Sequence, residues 1–278
     1  MIGQHPDLFG LPELKLFCFP NLGELEASLP RSARQRGILH RSPGLVRAVA
    51  QLHFGDQSLR SLSAARQWLG ERPHWPGEAV FDLLQAEVDP RRAVEKSPEN
   101  VDSAGSLARL ATAYPRACYL HLTRHPATTQ QSMYDHWCRT MGPVPGLATA
   151  CTELWLEIHE RIVSFAGTIP PDHYLRIMAE DVLNDPSVHL AVIARWLGLA
   201  ADQAAIEAMG HPERSPFAAL APVGSGVTGG NDAAFLANPI PHSVELPPDV
   251  DPPPGWAGDL SHWPLVAARA TKFGYGVR

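Results

Sequence analysis

The segment 119-YLHLTRHPATTQQSM-133 has an apolar run that exits on an arginine, with a serine eight residues further on. Tyr119, Leu120 and Leu122, interleaved with His121 and Thr123, predict a short strand bounded by His125-Pro126. Pro126 suits the first turn of a helix, where a missing N–H costs nothing, so the segment reads as strand, turn, helix. Arg124 then leaves the carboxyl end of a strand, the edge at which open α/β sheets bind ligands. Its guanidinium offers forked donors and charge, Ser132 a hydroxyl, and the helix its free amino-terminal N–H groups, which together make an oxyanion cradle. A salt bridge beside an ordinary helix serine is the competing reading, and spacing alone does not separate the two.

Outward from this segment the chain alternates helices with short strands. Apolar residues three and four apart predict helices over roughly 44–54, 58–69, 77–88, 102–113, 127–140, 149–166, 186–197 and 201–208. Asp102 and the pair Asp185-Pro186 look like helix starts. Strand candidates are 92-RAVE-95, 119-YLHLT-123 and 173-HYLRIM-178. Interleaving of this kind argues for an α/β fold, a parallel sheet covered by helices. The whole chain, 1–278, reads as one domain, with about 40–90 as a helical cap and about 221–278 as an irregular Gly/Pro-rich tail. In that tail 224-GSGVTG-229 matches G-x-G-x-x-G, but no strand precedes it and no helix follows, so it reads as a flexible loop.

At 278 residues and 45% apolar, the chain can bury a large core. A net charge of -6 without any Lys/Arg run argues against nucleic-acid and membrane-surface roles. Any anion must be held by a few local cations. Cys18, Cys118, Cys138 and Cys151 lack C-x-x-C spacing and read as reduced thiols of a cytoplasmic protein. No run approaches membrane-spanning length, and 1-MIGQHPDLFG lacks a signal-peptide pattern. His121 and His125 straddle a strand-to-turn junction rather than one helix face, and neither H-E-x-x-H nor G-x-S-x-G occurs, so no metal is expected and no nucleophile elbow. Trp68, Trp155 and Trp196 fit core positions, and Arg176 fits a structural anchor at a strand end.

Two further constellations carry charge. In 94-VEKSPEN-100, Lys96 and Ser97 follow a strand candidate, so Lys96 can face the same carboxyl edge as Arg124. In 5-HPDLFGLPELKLF-17, Glu13 and Lys15 alternate with Leu14 and Leu16 as on a half-buried extended segment. A carboxylate and an amine on one side serve either as base and charge stabiliser or as a solvated edge; the pattern leaves both open. His40, in 38-ILHRSPGLVRA-48, reads first as a surface histidine and second as an alternative base.

Together these stretches resemble the PAPS-dependent sulfotransferases, particularly the bacterial enzymes and the glycosaminoglycan sulfotransferases. The resemblance runs from His5 to about Pro239 through 5-HPDLFGLPELKLF-17, 95-EKSP-98, 122-LTRHPATTQQS-132, 174-YLRIMAEDVLNDP-186 with 196-WLGL-199, and 229-GGNDAAFLANP-239. It implies a P-loop-type parallel sheet flanked by helices, and transfer of a sulfuryl group from PAPS, without a metal, to a hydroxyl of a small-molecule or lipid-like acceptor. Arg124 and Ser132 match the pair that holds the 3′-phosphate, Glu13 the catalytic glutamate, and Lys96 the lysine beside the sulfuryl group. Gly229, Gly230 and Asn231 resemble the late loop that closes over the nucleotide. The family's first strand and its 5′-phosphosulfate loop normally precede H-P-D, and His5 is only four residues from Met1, so both are expected to be missing. That departure leaves a truncated, catalytically inactive nucleotide-binding or interaction module of the same fold as the alternative. A P-loop kinase is disfavoured because no Walker lysine is visible. A homodimer is the candidate assembly.

Overall fold

A computed structural model of the chain describes residues 1–31, 40–227, 229–231 and 233–276. The chain packs as two compact units, Met1–Arg116 with Ser187–Pro241, and Ala117–Pro186 with His242–Arg278, each with a hydrophobic cluster of its own. Parallel strand pairs flanked by helices are the fold class expected from the sequence.

In the first unit β1 (Leu8–Gly10) pairs in parallel with β2 (Arg92–Val94), Phe9 opposite Ala93. One further rung runs from the Leu11 N–H to the Val94 carbonyl at 2.8 Å. Pro12 follows and has no N–H, so the ladder stops there. Helices Pro43–His53, Leu59–Gly70, Gly77–Val88 and Ala104–Ala113 lie within a residue or two of the predicted positions. Serine hydroxyls at Ser42, Ser58 and Ser103 cap three of them by accepting main-chain N–H groups, so the cap of the last is Ser103 rather than Asp102. The chain from Leu14 to Phe17 runs beside these helices with Leu14 and Leu16 in the core, as their alternation with polar residues required.

The second unit joins β3 (Tyr119–Thr123) to β4 (Tyr174–Met178), again parallel and in register from Tyr119 opposite Tyr174 to Thr123 opposite Met178. Helices Pro126–Met141 and Leu147–Ala166 make the connection. A helix at Trp263–Phe273 corrects the reading of 221–278 as irregular throughout. The Gly/Pro-rich composition that suggested irregularity ends before Trp263, and Trp263, Val266, Ala270 and Phe273 then bury one face beside Trp155. Arg176 donates to the Phe273 carbonyl at 2.7 Å and lies over the Phe273 ring, the structural anchor expected of it. Among the described residues no helix is long and apolar enough to cross a membrane.

Candidate functional site

Where the β1–β2 ladder ends, Glu13 begins. Its N–H donates to the Gly230 carbonyl at 2.8 Å and its own carbonyl accepts from Ser42 Oγ at 3.0 Å. Its neighbour Leu14 is fully buried, so the Glu13 side chain turns the other way and remains 17% exposed. Lys96, on the chain leaving β2, donates from Nζ to Glu13 Oε1 at 2.5 Å, and its side chain is 57% exposed. An ion pair this open to water is worth only about 0–1 kcal/mol, so a charged or hydroxylic ligand can part it at little cost.

Lys15 is not the companion of Glu13 that an extended segment would make it. It takes the left-handed backbone conformation at φ 58°, its N–H donates to Ser97 Oγ at 2.8 Å, and its amine pairs with Glu99. Alternation of burial persists through Leu16, but the strand does not.

His40 is also placed differently from the surface position expected. Its side chain is only 12% exposed, Nδ1 accepts the Ser42 N–H at 3.1 Å, and Nε2 lies 3.5 Å from Glu26. Burial pushes the imidazole pKa down and the Glu26 carboxylate opposes that shift. Both ring nitrogens are thus engaged, and the link from His40 to Glu13 runs through Ser42.

The late loop is tied to the same place. Gly230 gives its carbonyl to Glu13, Gly229 gives its carbonyl to Arg47 Nη1 at 2.8 Å, and Asn231 Nδ2 donates to the Phe217 carbonyl at 3.3 Å. The structure therefore brings Glu13, Lys96 and Gly230 together within the first unit. Arg47 is a residue the sequence reading missed. It is 1% exposed and also reaches the Ala219 carbonyl and Gln57 Oε1, both at 2.7 Å, so one buried fork fastens the loop to the helix Pro43–His53. Its signal was an arginine inside the apolar run 45-LVRAVA-50. Within 224-GSGVTG-229, Ser225 and Val227 are buried and Arg66 donates to the Ser225 carbonyl at 2.7 Å, so the loop is packed down rather than free as expected.

Arg124 and Ser132 belong to the second unit. Arg124 is exposed and makes neither an ion pair nor a hydrogen bond among the described residues, which removes the salt-bridge reading. The turn that carries it is held from behind: the His125 N–H donates to the buried Glu180 carboxylate at 2.7 Å, and Tyr275 donates to the same carboxylate at 2.9 Å. Pro126 opens the next helix, as its fixed φ allows. Two turns in, Ser132 lines an open cavity of about 600 Å³ with Thr128, Gln131, Asp135 and Arg139. Arg124 is not among the residues that line this cavity, and Asp135 sets a carboxylate beside the Arg139 guanidinium in it. Among the described residues no cluster of His, Cys, Asp or Glu is arranged to hold a metal ion.

Residues 1–203 match the sulfotransferase family. The chain belongs to that family. Two solved structures share the sulfotransferase's fold. The sulfotransferase domain from the curacin biosynthetic pathway aligns with a TM-score of 0.71 at 18% identity, covering 99% of this chain and 91% of that one. The sulfotransferase domain from the olefin synthase of Synechococcus PCC 7002 aligns with a TM-score of 0.70 at 24% identity, covering 99% and 88%. A comparison with curated proteins returned no match.

Proposed function

We propose that this sulfotransferase moves a sulfuryl group from PAPS to a hydroxyl of a small-molecule or lipid-like acceptor. The observation that carries the proposal is the ion pair between Glu13 and Lys96, residues 83 apart in sequence whose chemistry is that of a proton acceptor and a charge stabiliser. In the reaction the acceptor oxygen attacks sulfur and the new S–O bond forms. The bond from sulfur to the bridging oxygen of the 5′-phosphate breaks, and its electron pair leaves on 3′,5′-ADP. Glu13 takes the hydroxyl proton, a role worth roughly 10²–10⁴ in rate. Lys96 balances charge that grows on the bridging oxygen, as cations do in the related phosphoryl transfers. Arg124 and Ser132 hold the 3′-phosphate, and Gly229, Gly230 and Asn231 border the nucleotide.

Support for the nucleotide role of Arg124 is its exposure at a strand exit without a partner among the described residues, which leaves its guanidinium available to a ligand. The test combines calorimetric titration with 3′,5′-ADP and transfer of labelled sulfate from PAPS to a panel of hydroxyl acceptors. Saturable binding and a sulfated product are expected. Binding without transfer to any acceptor overturns the catalytic roles, and absence of binding overturns the donor.

A further inference from the structure

We propose that Glu95 is the positioning residue that sets Glu13 and Lys96 in register, a reading that rests on the roles given to that pair. Past Pro12 the main chains leaving β1 and β2 have no ladder to hold them, yet they must keep a carboxylate and an ammonium in contact. Side-chain bonds take over, and they converge on one carboxylate. Glu95 Oε1 accepts the N–H of Leu14, the residue after Glu13, at 3.2 Å, and it also accepts the hydroxyl of Ser97, the residue after Lys96. Ser97 Oγ in turn accepts the Lys15 N–H at 2.8 Å. Asn100 Nδ2 donates to Glu95 Oε2 at 2.8 Å.

Every partner of Glu95 is thus a donor, the complement of an ionised carboxylate. Burial, with the Glu13 charge adding to it, raises its pKa on balance, and the hydrogen bonds from Ser97, Leu14 and Asn100 oppose that shift. The geometry repeats the spacing of the catalytic pair one residue on: Glu13 and Lys96 face outward, and Leu14 N–H and Ser97 Oγ, their immediate successors, meet on Glu95 between the two chains. An amide at this position would present an NH₂ group to at least one of those donors, so Glu95→Gln opens the junction while nearly keeping its volume.

The chain's lysines are Lys15, Lys96 and Lys272, which makes the amine of Lys96 its own reporter. Limited acetylation followed by peptide mass spectrometry measures its reactivity against Lys272 in the folded protein, with folding checked by near-ultraviolet circular dichroism. Release of a solvent-exposed pair should raise the Lys96 ratio about two- to fivefold in Glu95→Gln. Glu13→Gln should raise it equally, and the double variant no further. Ser97→Ala removes the link to Lys15 but keeps the carboxylate, and it carries the same test if Glu95→Gln does not fold. With PAPS and an accepted hydroxyl, kcat should fall about tenfold or more while KM for PAPS stays within a fewfold. A Lys96 as protected in the folded variants as in wild type overturns the proposal. Raised reactivity with an unchanged kcat leaves the positioning standing and overturns the roles assigned to Glu13 and Lys96.

Discussion

At the scale of single residues, two variants separate ligand chemistry from architecture. Arg124 is exposed and without a partner among the described residues, so its removal costs the fold little and a bound phosphate much. Arg124→Ala should weaken 3′,5′-ADP binding by about ten- to a hundredfold, the equivalent of roughly 1.5–3 kcal/mol for a charged hydrogen-bond partner, with an unchanged melting temperature. Calorimetry and a thermal scan on the same preparation check both halves. Glu13→Gln should lower kcat by about 10²-fold or more at a nearly constant KM for PAPS, because the shape stays and the proton acceptor goes. His40→Asn should keep most of the activity, since both imidazole nitrogens are already engaged by Ser42 and Glu26. Steady-state kinetics with one accepted hydroxyl compares the two, and a dead His40→Asn beside an active Glu13→Gln would reverse the assignment. The residue types were legible in the sequence; their pairing was not. Lys15 lies two positions from Glu13 and looked like its partner, whereas Lys96, 83 positions away, is the one that meets it. A left-handed backbone at a lysine leaves no mark of the kind a glycine or asparagine would.

Elements were legible where Pro, Gly and Ser punctuate the chain and apolar residues repeat at three and four. Helices such as Gly77–Val88 and Pro126–Met141 fall where that pattern put them. What the pattern does not carry is how closely two elements approach. Gly44, in the first turn of the helix Pro43–His53, shows this: a Cβ there would stand 2.3 Å from the Glu13 carbonyl oxygen. Gly230, at φ +94°, would place a Cβ 2.6 Å from the Gly44 Cα, so the helix, the Glu13 segment and the late loop meet where neither glycine can grow. An alanine in a helix ordinarily gains about 0.5–1 kcal/mol over glycine. Here the collision is with main chain, and overpacking of this kind costs about 1–3 kcal/mol, so it outweighs the helical gain. Gly44→Ala should therefore lower stability in urea denaturation and also depress kcat, because the atom that must move belongs to Glu13. A stabilised variant with full activity would show that the three elements part freely.

On the scale of the whole molecule, the chain leaves its first unit after Arg116 and returns at Ser187, an order that local periodicity does not reveal because each helix and strand reads alike in either unit. Burial then creates properties that belong to neither residue nor element. In the second unit His121 Nδ1 meets the Tyr174 hydroxyl at 2.7 Å and His121 Nε2 meets His159 Nδ1 at 3.1 Å, inside a ring of Trp155 and Phe273. Burial first, and the Arg176 charge second, lowers the His121 pKa to about 4. Burial, followed by His121 and Arg269, lowers that of His159 to about 3. Above about pH 6.5 both are neutral whether the chain is folded or not, and they make no contribution to pH dependence. As pH falls below that value the unfolded chain takes up two protons that the folded chain refuses, so stability drops by up to about 1.4 kcal/mol per pH unit for each histidine. The loss continues to about pH 4 for His121 and about pH 3 for His159, below which both states are protonated and the slope vanishes. Glu95, whose folded pKa is raised, works in the opposite sense and gains relative stability on acidification around the carboxylate range. Between pH 7 and pH 5 the buried histidines act together, since burial also lowers the pKa of His40 and His125, and the buried Met1 amine, lowered to about 6, adds in the same sense. Urea denaturation from pH 7 to pH 5, followed by tryptophan fluorescence, should show a falling midpoint. His159→Phe should shallow that slope even if it lowers stability at pH 7, because it removes one of the protons taken up on unfolding, while buried His40 and His125 keep their share. A slope identical to wild type in that variant would place the titration elsewhere.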